Sequence, residues 1–317
     1  MVAFIEGAAN AATKYEDQFY KGNDLLDKGQ YDQAISAYSA AIKLNPKSYE
    51  AYANRGGAFF DKGDFVSAIP DFTKALGLHP NGSKNESILD RRGSAYFETK
   101  QYDLAIADFT RAIGLNPKFF AAFYHRGLVY DRKQQSEQAI ADYTKAIEIN
   151  PIYTDAYFSR ARTYMRKRAL DLSISDFTKV VELDPKSVRA YGFRGSVYGM
   201  KGEYDLSVAD FSKAIELNPK DVDSYSYRGL TYYRTGQYDL AISDFEKAIN
   251  IKPDYYKPAY GLALSYAGKN NVEQACKWLK KSIENGFKNW DYIKKDKGFD
   301  NIRDAACYKK ILSGAAQ

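Results

Sequence analysis

Seven prolines divide the chain at a nearly constant interval: Pro46, Pro80, Pro117, Pro151, Pro185, Pro219 and Pro253. Successive gaps are 34, 37, 34, 34, 34 and 34 residues, and the long one contains the polar stretch NGSKNES, which reads as a three-residue loop insertion. A fixed period of this length marks a stack of small units that bury their apolar faces against one another.

Within one period the pattern predicts helix, turn, helix, turn. Tyr225, Arg228, Gly229 and Tyr232 share one helical face. Thr235-Gly236-Gln237 reads as the turn, with glycine ending the first helix. Asp239 suits the start of a second helix, whose packing face carries Ala241, Asp244, Phe245 and Ala248, and Pro253 stops it. The frame recurs as Tyr52, Arg55, Gly56, Phe59, Ala68, Phe72, Ala75 and Pro80, and as Phe123, Arg126, Gly127, Tyr130, Ala139, Tyr143, Ala146 and Pro151.

This pattern resembles the tetratricopeptide repeat. The resemblance covers residues 15–286 as eight repeats: 15–48, 49–85, 86–119, 120–153, 154–187, 188–221, 222–255 and 256–286. It implies an all-α fold, a right-handed α-solenoid (superhelix) of stacked antiparallel helix pairs whose first helices line a concave groove. Leu89, Ala161, Ser173 and Ser207 depart from the usual residue types, and the eighth repeat lacks the closing proline. Residues 1–14 form an N-terminal extension, expected either to lengthen the first helix or to be mobile. Residues 287–317 form a C-terminal helical cap, with Phe287, Trp290, Ile293, Phe299, Ile302 and Leu312 covering the last repeat. Pro70 falls inside a second helix, where a loosened turn is expected.

Most of the 28 tyrosines fall on inter-helix packing positions of the repeat, which explains their excess. A net charge of +6 permits an acidic partner without requiring one. Cys276 and Cys307 are the only cysteines and read as two reduced thiols. No run is long and apolar enough to span a membrane. The opening MVAFIEGAANAAT carries an acid and no basic stretch, so it does not read as a secretion signal. The expectation is a cytoplasmic protein, or a secreted or periplasmic one if a leader has been removed. The triplets Asn81-Gly82-Ser83 and Asn85-Glu86-Ser87 match a glycosylation signal that loops often carry by chance.

Arginine recurs at Arg55, Arg92, Arg126, Arg160, Arg194 and Arg228, and aspartate sixteen residues later at Asp71, Asp108, Asp142, Asp176, Asp210 and Asp244. The first repeat has Lys21 and Ala37 instead, the eighth Leu262 and Trp278. Joint loss implies contact. Pairing within a repeat matches all six arginines, whereas pairing with the next repeat would leave Asp244 facing Leu262. Six structural Arg–Asp pairs are therefore expected, in preference to an arginine ladder for phosphates.

The exposed face of each first helix falls five and two residues before the arginine, and two, five and six after it. Those positions give a partner-binding groove of Phe19, Asn23, Phe60, Phe97, Tyr124, Leu128, Arg132, Phe158, Arg162, Met165, Arg166, Arg189, Tyr233 and Arg234. Glu50, Asp61, Asp90 and Glu98 make its N-terminal part acidic, and it turns basic from Arg132 onward. Aromatic and arginine side chains are enriched at binding hot spots. Some peptide-binding members of the family hold a C-terminal carboxylate with two lysines and two asparagines. Here Asn23 matches one element, but Phe19 and Asp61 stand against the others.

His79 and His125 have no paired acid or cysteine at ligand spacing, and no phosphate loop, metal cluster or nucleophile motif is present in the sequence. No catalytic residue, cofactor or metal is expected. The resulting expectation is a non-enzymatic scaffold binding a protein or peptide partner in the groove. The alternative is self-assembly into a homo-oligomer through the array ends or groove-to-groove contacts. Single-stranded nucleic acid is a third reading, opposed by the acidic first repeats and modest charge.

Overall fold

The computed structural model describes residues 2–82 and 84–313, with side chains from residue 12 onward. Ser83, which completes the first glycosylation triplet, lies outside the described residues, as do Met1 of the extension and residues 314–317 of the cap. Among the described residues all regular structure is helical. The helices are α1 (Val2–Asp27), α2 (Tyr31–Leu44), α3 (Tyr49–Lys62), α4 (Phe65–Leu78), α5 (Asn85–Glu98), α6 (Tyr102–Leu115), α7 (Phe120–Arg132), α8 (Ser136–Ile149) and α9 (Thr154–Arg166). There follow α10 (Leu170–Leu183), α11 (Val188–Lys201), α12 (Tyr204–Leu217), α13 (Val222–Arg234), α14 (Tyr238–Ile251), α15 (Tyr256–Gly268), α16 (Val272–Glu284), α17 (Trp290–Lys295), a 3-10 helix (Lys297–Ile302) and α18 (Ala306–Ser313). The chain forms two compact units, Met1–Thr163 and Tyr164–Gln317, and the division falls within α9.

The turns inside each pair share one device. A single residue at the end of the first helix takes positive φ: Gly29, Gly63, Lys100 and Gln134 in the first unit, Arg168, Gly202, Gly236 and Asn270 in the second. That conformation lets the chain reverse while backbone N–H groups still reach the last helical carbonyls. Starts are capped where the sequence supplies an oxygen: Ser48 accepts from the Ala51 amide at 3.1 Å and Asp64 from the Ser67 amide at 3.1 Å. The α1 helix runs without a break from Val2, so the N-terminal extension lengthens the first helix. The α4 helix is continuous through Pro70.

In the first unit successive helices from α1 to α8 pack on one another, and α1, α3, α5 and α7 also touch one another in series. In the second unit α11, α13 and α15 do the same. The core between paired helices is closely packed: Ala68, Phe72, Ala105, Phe109, Ala139 and Tyr143 are essentially fully buried. The small residue after the arginine is required by this closeness. A Cβ at Gly127 would lie 2.7 Å from the Tyr143 ring, inside any real contact distance.

The C-terminal segment does more than cover an end. Ile293, Phe299, Ile302 and Tyr308 are buried in one cluster with Tyr260, Leu264, Ala275, Cys276 and Leu279. The Tyr308 hydroxyl donates to the Ile293 carbonyl at 2.9 Å. The reading of Cys276 and Cys307 as two thiols is corrected here: they form a disulfide, with Cα atoms 6.1 Å apart. The segment returns α18 to α16, which brings the two cysteines within bridging distance. Among the described residues no helix is long and apolar enough to cross a membrane.

Candidate functional site

The recurring arginine ties three helices together. In the first unit Arg126 donates through Nε and Nη2 to both carboxylate oxygens of Asp142, each at 2.8 Å. Its Nη1 donates to Thr110 on the preceding repeat at 2.9 Å. The guanidinium also lies 5.8 Å from the Phe123 ring and 6.0 Å from the Tyr130 ring. Arg55 and Arg92 repeat the arrangement with Asp71 and Ser39, and with Asp108 and Thr73. In the second unit Arg194 and Arg228 do so with Asp210 and Thr178, and with Asp244 and Ser212. Arg160 belongs to the first unit, where it donates to Thr144 at 2.8 Å, and Asp176 is buried in the second. The hydrogen-bonded carboxylates hold the guanidinium pKa values of Arg55, Arg126, Arg194 and Arg228 above their ordinary value. These arginines are already satisfied, as a structural role demands.

The sequence reading missed the hydroxyl partners. Ser39, Thr73, Thr110, Thr144, Thr178 and Ser212 recur in the same period as the prolines, so the signal was present. In the eighth repeat Leu262 and Trp278 belong to one apolar cluster with Phe245. An apolar contact there replaces the ion pair.

The groove residues of the first unit fall into two groups. Phe19 packs beside Tyr15, Tyr20 and Tyr38. The Asn23 side-chain oxygen accepts from Tyr38 at 2.8 Å and from Asn54 at 2.9 Å. Both serve the joint between the first two repeats. Phe60, Phe97, Tyr124 and Leu128 are half-buried and converge on a hollow of about 240 Å³, with Glu98 and His125 at its edge. Two of the acids that the sequence places there have close partners. Asp90 is paired with His125 at 2.7 Å, and Asp61 lies 3.5 Å from Arg91. Arg132 and Arg162 are exposed and Phe158 is half-buried. His79 stacks on Tyr49 with ring centroids 4.3 Å apart. Asn85 is buried, its side chain donating to the His79 carbonyl, so that triplet cannot carry a glycan.

In the second unit Met165, Arg189 and Arg234 line a recess of about 510 Å³ on α11 and α13, and Arg166 is exposed. Beyond it the C-terminal segment lies on the inner-face positions of α15. Tyr260 donates to Asp296 at 2.7 Å and meets Phe299 edge-on, with ring centroids 5.6 Å apart. Burial, then the Asp296 carboxylate, pushes the Tyr233 hydroxyl pKa up to about 12. Tyr233 therefore packs against this segment. No group of three His, Cys, Asp or Glu residues is placed to hold a metal ion among the described residues.

Tetratricopeptide repeat family models match residues 21–83, 93–134, 120–153, 154–187, 195–236 and 222–255. No curated protein matches significantly. Among solved structures, a tetratricopeptide repeat protein from Parabacteroides merdae is 24% identical, covering 85% of this chain and 99% of its own, with a TM-score of 0.59. The C-terminal part of a repeat protein from Cytophaga hutchinsonii is 18% identical over 77% of this chain and 99% of its own, with a TM-score of 0.65. The MamA protein is 30% identical over 55% of this chain and 94% of its own, with a TM-score of 0.50. Models covering most of the chain, together with helix pairs held in phase by a recurring arginine, leave one assignment: the chain belongs to the tetratricopeptide repeat family.

Proposed function

We propose that the inner faces of the first helices bind an extended segment of a partner protein, and that the chain works as a non-enzymatic scaffold. Tetratricopeptide repeat proteins bind protein partners and are generally not enzymes. The observation that carries the reading is the convergence of Phe60, Phe97, Tyr124 and Leu128, half-buried, on one open hollow. Rings held rigid by their neighbours and wet on one side lose little entropy on binding. In the first unit Arg132, Phe158 and Arg162 extend this surface, and in the second Met165, Arg166, Arg189 and Arg234 supply cations and apolar surface of their own. Asn23 and Phe19 contribute indirectly, by fixing the first two repeats.

The test is selection of short random peptides from a phage library on the full-length protein. Enriched peptides are expected to lose at least about tenfold in affinity for a Phe97→Glu, Tyr124→Glu double variant or for an Arg162→Glu, Arg166→Glu double variant. Failure to enrich any peptide, or undiminished binding to both variants, would remove the inner faces from consideration.

A further inference from the structure

We infer, building on the inner-face binding proposed above, that the recess on α11 and α13 seats a bulky apolar side chain of the partner segment while Arg234 holds a neighbouring carboxylate. The recess arises from a local departure in sequence. Two before, two after and five after the arginine, α11 carries Gly192, Ser196 and Gly199. No other repeat is that small at all three places: the position five after is Phe60, Phe97, Asp131, Met165 or Tyr233 in its neighbours.

Backbone packing does not demand the first of these glycines. A Cβ at Gly192 would meet nothing closer than the Ser224 Oγ at 3.9 Å, and its φ is ordinary. Glycine in a helix interior costs about 0.5–1 kcal/mol relative to alanine. The only local effect that sets against this cost is the open volume itself. Around it stand Met165, Phe193, Met200 and Leu230. Methionines re-pack around varied shapes at little cost. A cavity of about 510 Å³ falls in the range of formed ligand sites, roughly 300–1,000 Å³.

Charge identifies the second element. Both acids that line the recess are engaged. Asp221 caps α13 through the Ser224 amide, and Asp223 accepts from the Tyr255 hydroxyl at 3.2 Å. Arg234 is exposed and makes no ion pair or hydrogen bond among the described residues. Both donors are neutral, so the two acids keep their charge, and Arg234 is the rim cation whose hydrogen-bonding capacity is unused.

The chain itself shows an occupant of this character one repeat pair further on. Tyr260 and Leu264 stand on α15 where Gly192 and Ser196 stand on α11. They are covered by Ile293 and Phe299, both fully buried, with Asp296 between them accepting from Tyr260. An apolar residue, an acid and a second apolar residue are thus accommodated on this face. The recess is the open counterpart of that covered face, and the occupant that fits it is an acidic segment with a large apolar anchor.

Peptides enriched on the full-length protein are synthesised with a fluorophore and titrated by anisotropy. They are expected to share a Trp, Phe, Leu or Met close to an Asp or Glu. Gly192→Leu, which fills the recess, should weaken them at least about tenfold, and Arg234→Glu should weaken them comparably with a reduced salt dependence. Arg234 is exposed, so the second variant stays informative even if the first folds poorly. Undiminished binding to Gly192→Leu and Arg234→Glu, with loss only in Phe97→Glu, Tyr124→Glu, would overturn the recess while leaving inner-face binding intact. Enrichment of no peptide would end both.

Discussion

Arg126 on α7 donates a 2.9 Å hydrogen bond to Thr110 on α6, the second helix of the preceding repeat. The same guanidinium clamps Asp142 on α8 in a two-pronged contact. One side chain therefore reports on both joints of a stacked repeat, the one inside a helix pair and the one between pairs.

The two contacts should separate energetically. The Asp142 side chain is 8% exposed and that of Arg126 is 17% exposed, so Asp142→Ala leaves a mostly buried cation unpaired. Loss of about 3–5 kcal/mol is expected in chemical denaturation. Thr110→Val removes a hydrogen bond at an exposed position and should cost only about 0.5–1.5 kcal/mol. An Arg126→Leu, Asp142→Leu double variant should recover much of the first loss, because the Leu262 and Trp278 cluster shows that an apolar contact fits the same two places. A double variant as unstable as Asp142→Ala alone would mean that the pair contributes in a way an apolar contact cannot match.

The turn positions allow a change in the opposite direction. Lys100 and Gln134 take φ values of 62° and 61°, where Gly63 takes 88° in the equivalent turn. A residue with a Cβ pays a steric cost of about 1–2 kcal/mol there, against roughly 0.5–1 kcal/mol of extra chain entropy for glycine. Lys100→Gly and Gln134→Gly should each raise stability by up to about 1 kcal/mol. Gly63→Ala should lower it by about 1 kcal/mol, although a Cβ there touches nothing. Equal denaturation midpoints for all three variants and the parent protein would refute this account.

The period of the prolines, and the arginines and aspartates in phase with it, made the helix pairs and their ion pairs legible in the sequence. Both are local or one repeat apart, so a count along the chain reaches them. The disulfide was not legible, because Cys307 lies outside the repeat frame and a separation of 31 residues says nothing of distance. Nor was the fate of Tyr233 and Tyr260. The frame marked both as inner-face residues, and only the path of an irregular tail decides that they are covered. The recess was hidden for another reason: glycine and serine at inner-face positions carry no chemistry to notice, and their meaning is the space between their neighbours.

Alkaline pH should loosen the packing around three tyrosines. Burial pushes Tyr38 and Tyr233 up to about 12 from an ordinary 10.0, and Tyr260 is raised in the same direction by burial and by Asp296. The neutral phenol is the form the fold favours. Its stabilising contribution is complete below pH 10, where the unfolded chain also keeps its phenols neutral, and it falls as pH rises from there toward the raised folded-state values. Thermal midpoints measured from pH 8 to 12 should therefore decline steeply above about 10. Tyr38→Phe and Tyr233→Phe should reduce that decline. A flat profile across this interval would show that the rings ionise without hindrance.

The disulfide gives a last and more local expectation. It joins α16 to α18 and closes a loop of sequence separation 31, which in the chain-entropy treatment stabilises the closed form by about 3–4 kcal/mol. Within that loop lie Ile293, Phe299 and Ile302, which cover Tyr260 and Leu264. A Cys276→Ser, Cys307→Ser variant keeps those apolar contacts but loses the constraint. Amide exchange should accelerate across residues 290–313 while residues 12–163 keep their protection. Removal of the cap should then uncover the α15 inner face, seen as increased binding of a hydrophobic dye. If exchange across residues 290–313 is unchanged in the variant, the apolar cluster alone holds the segment and the covalent link is incidental to it.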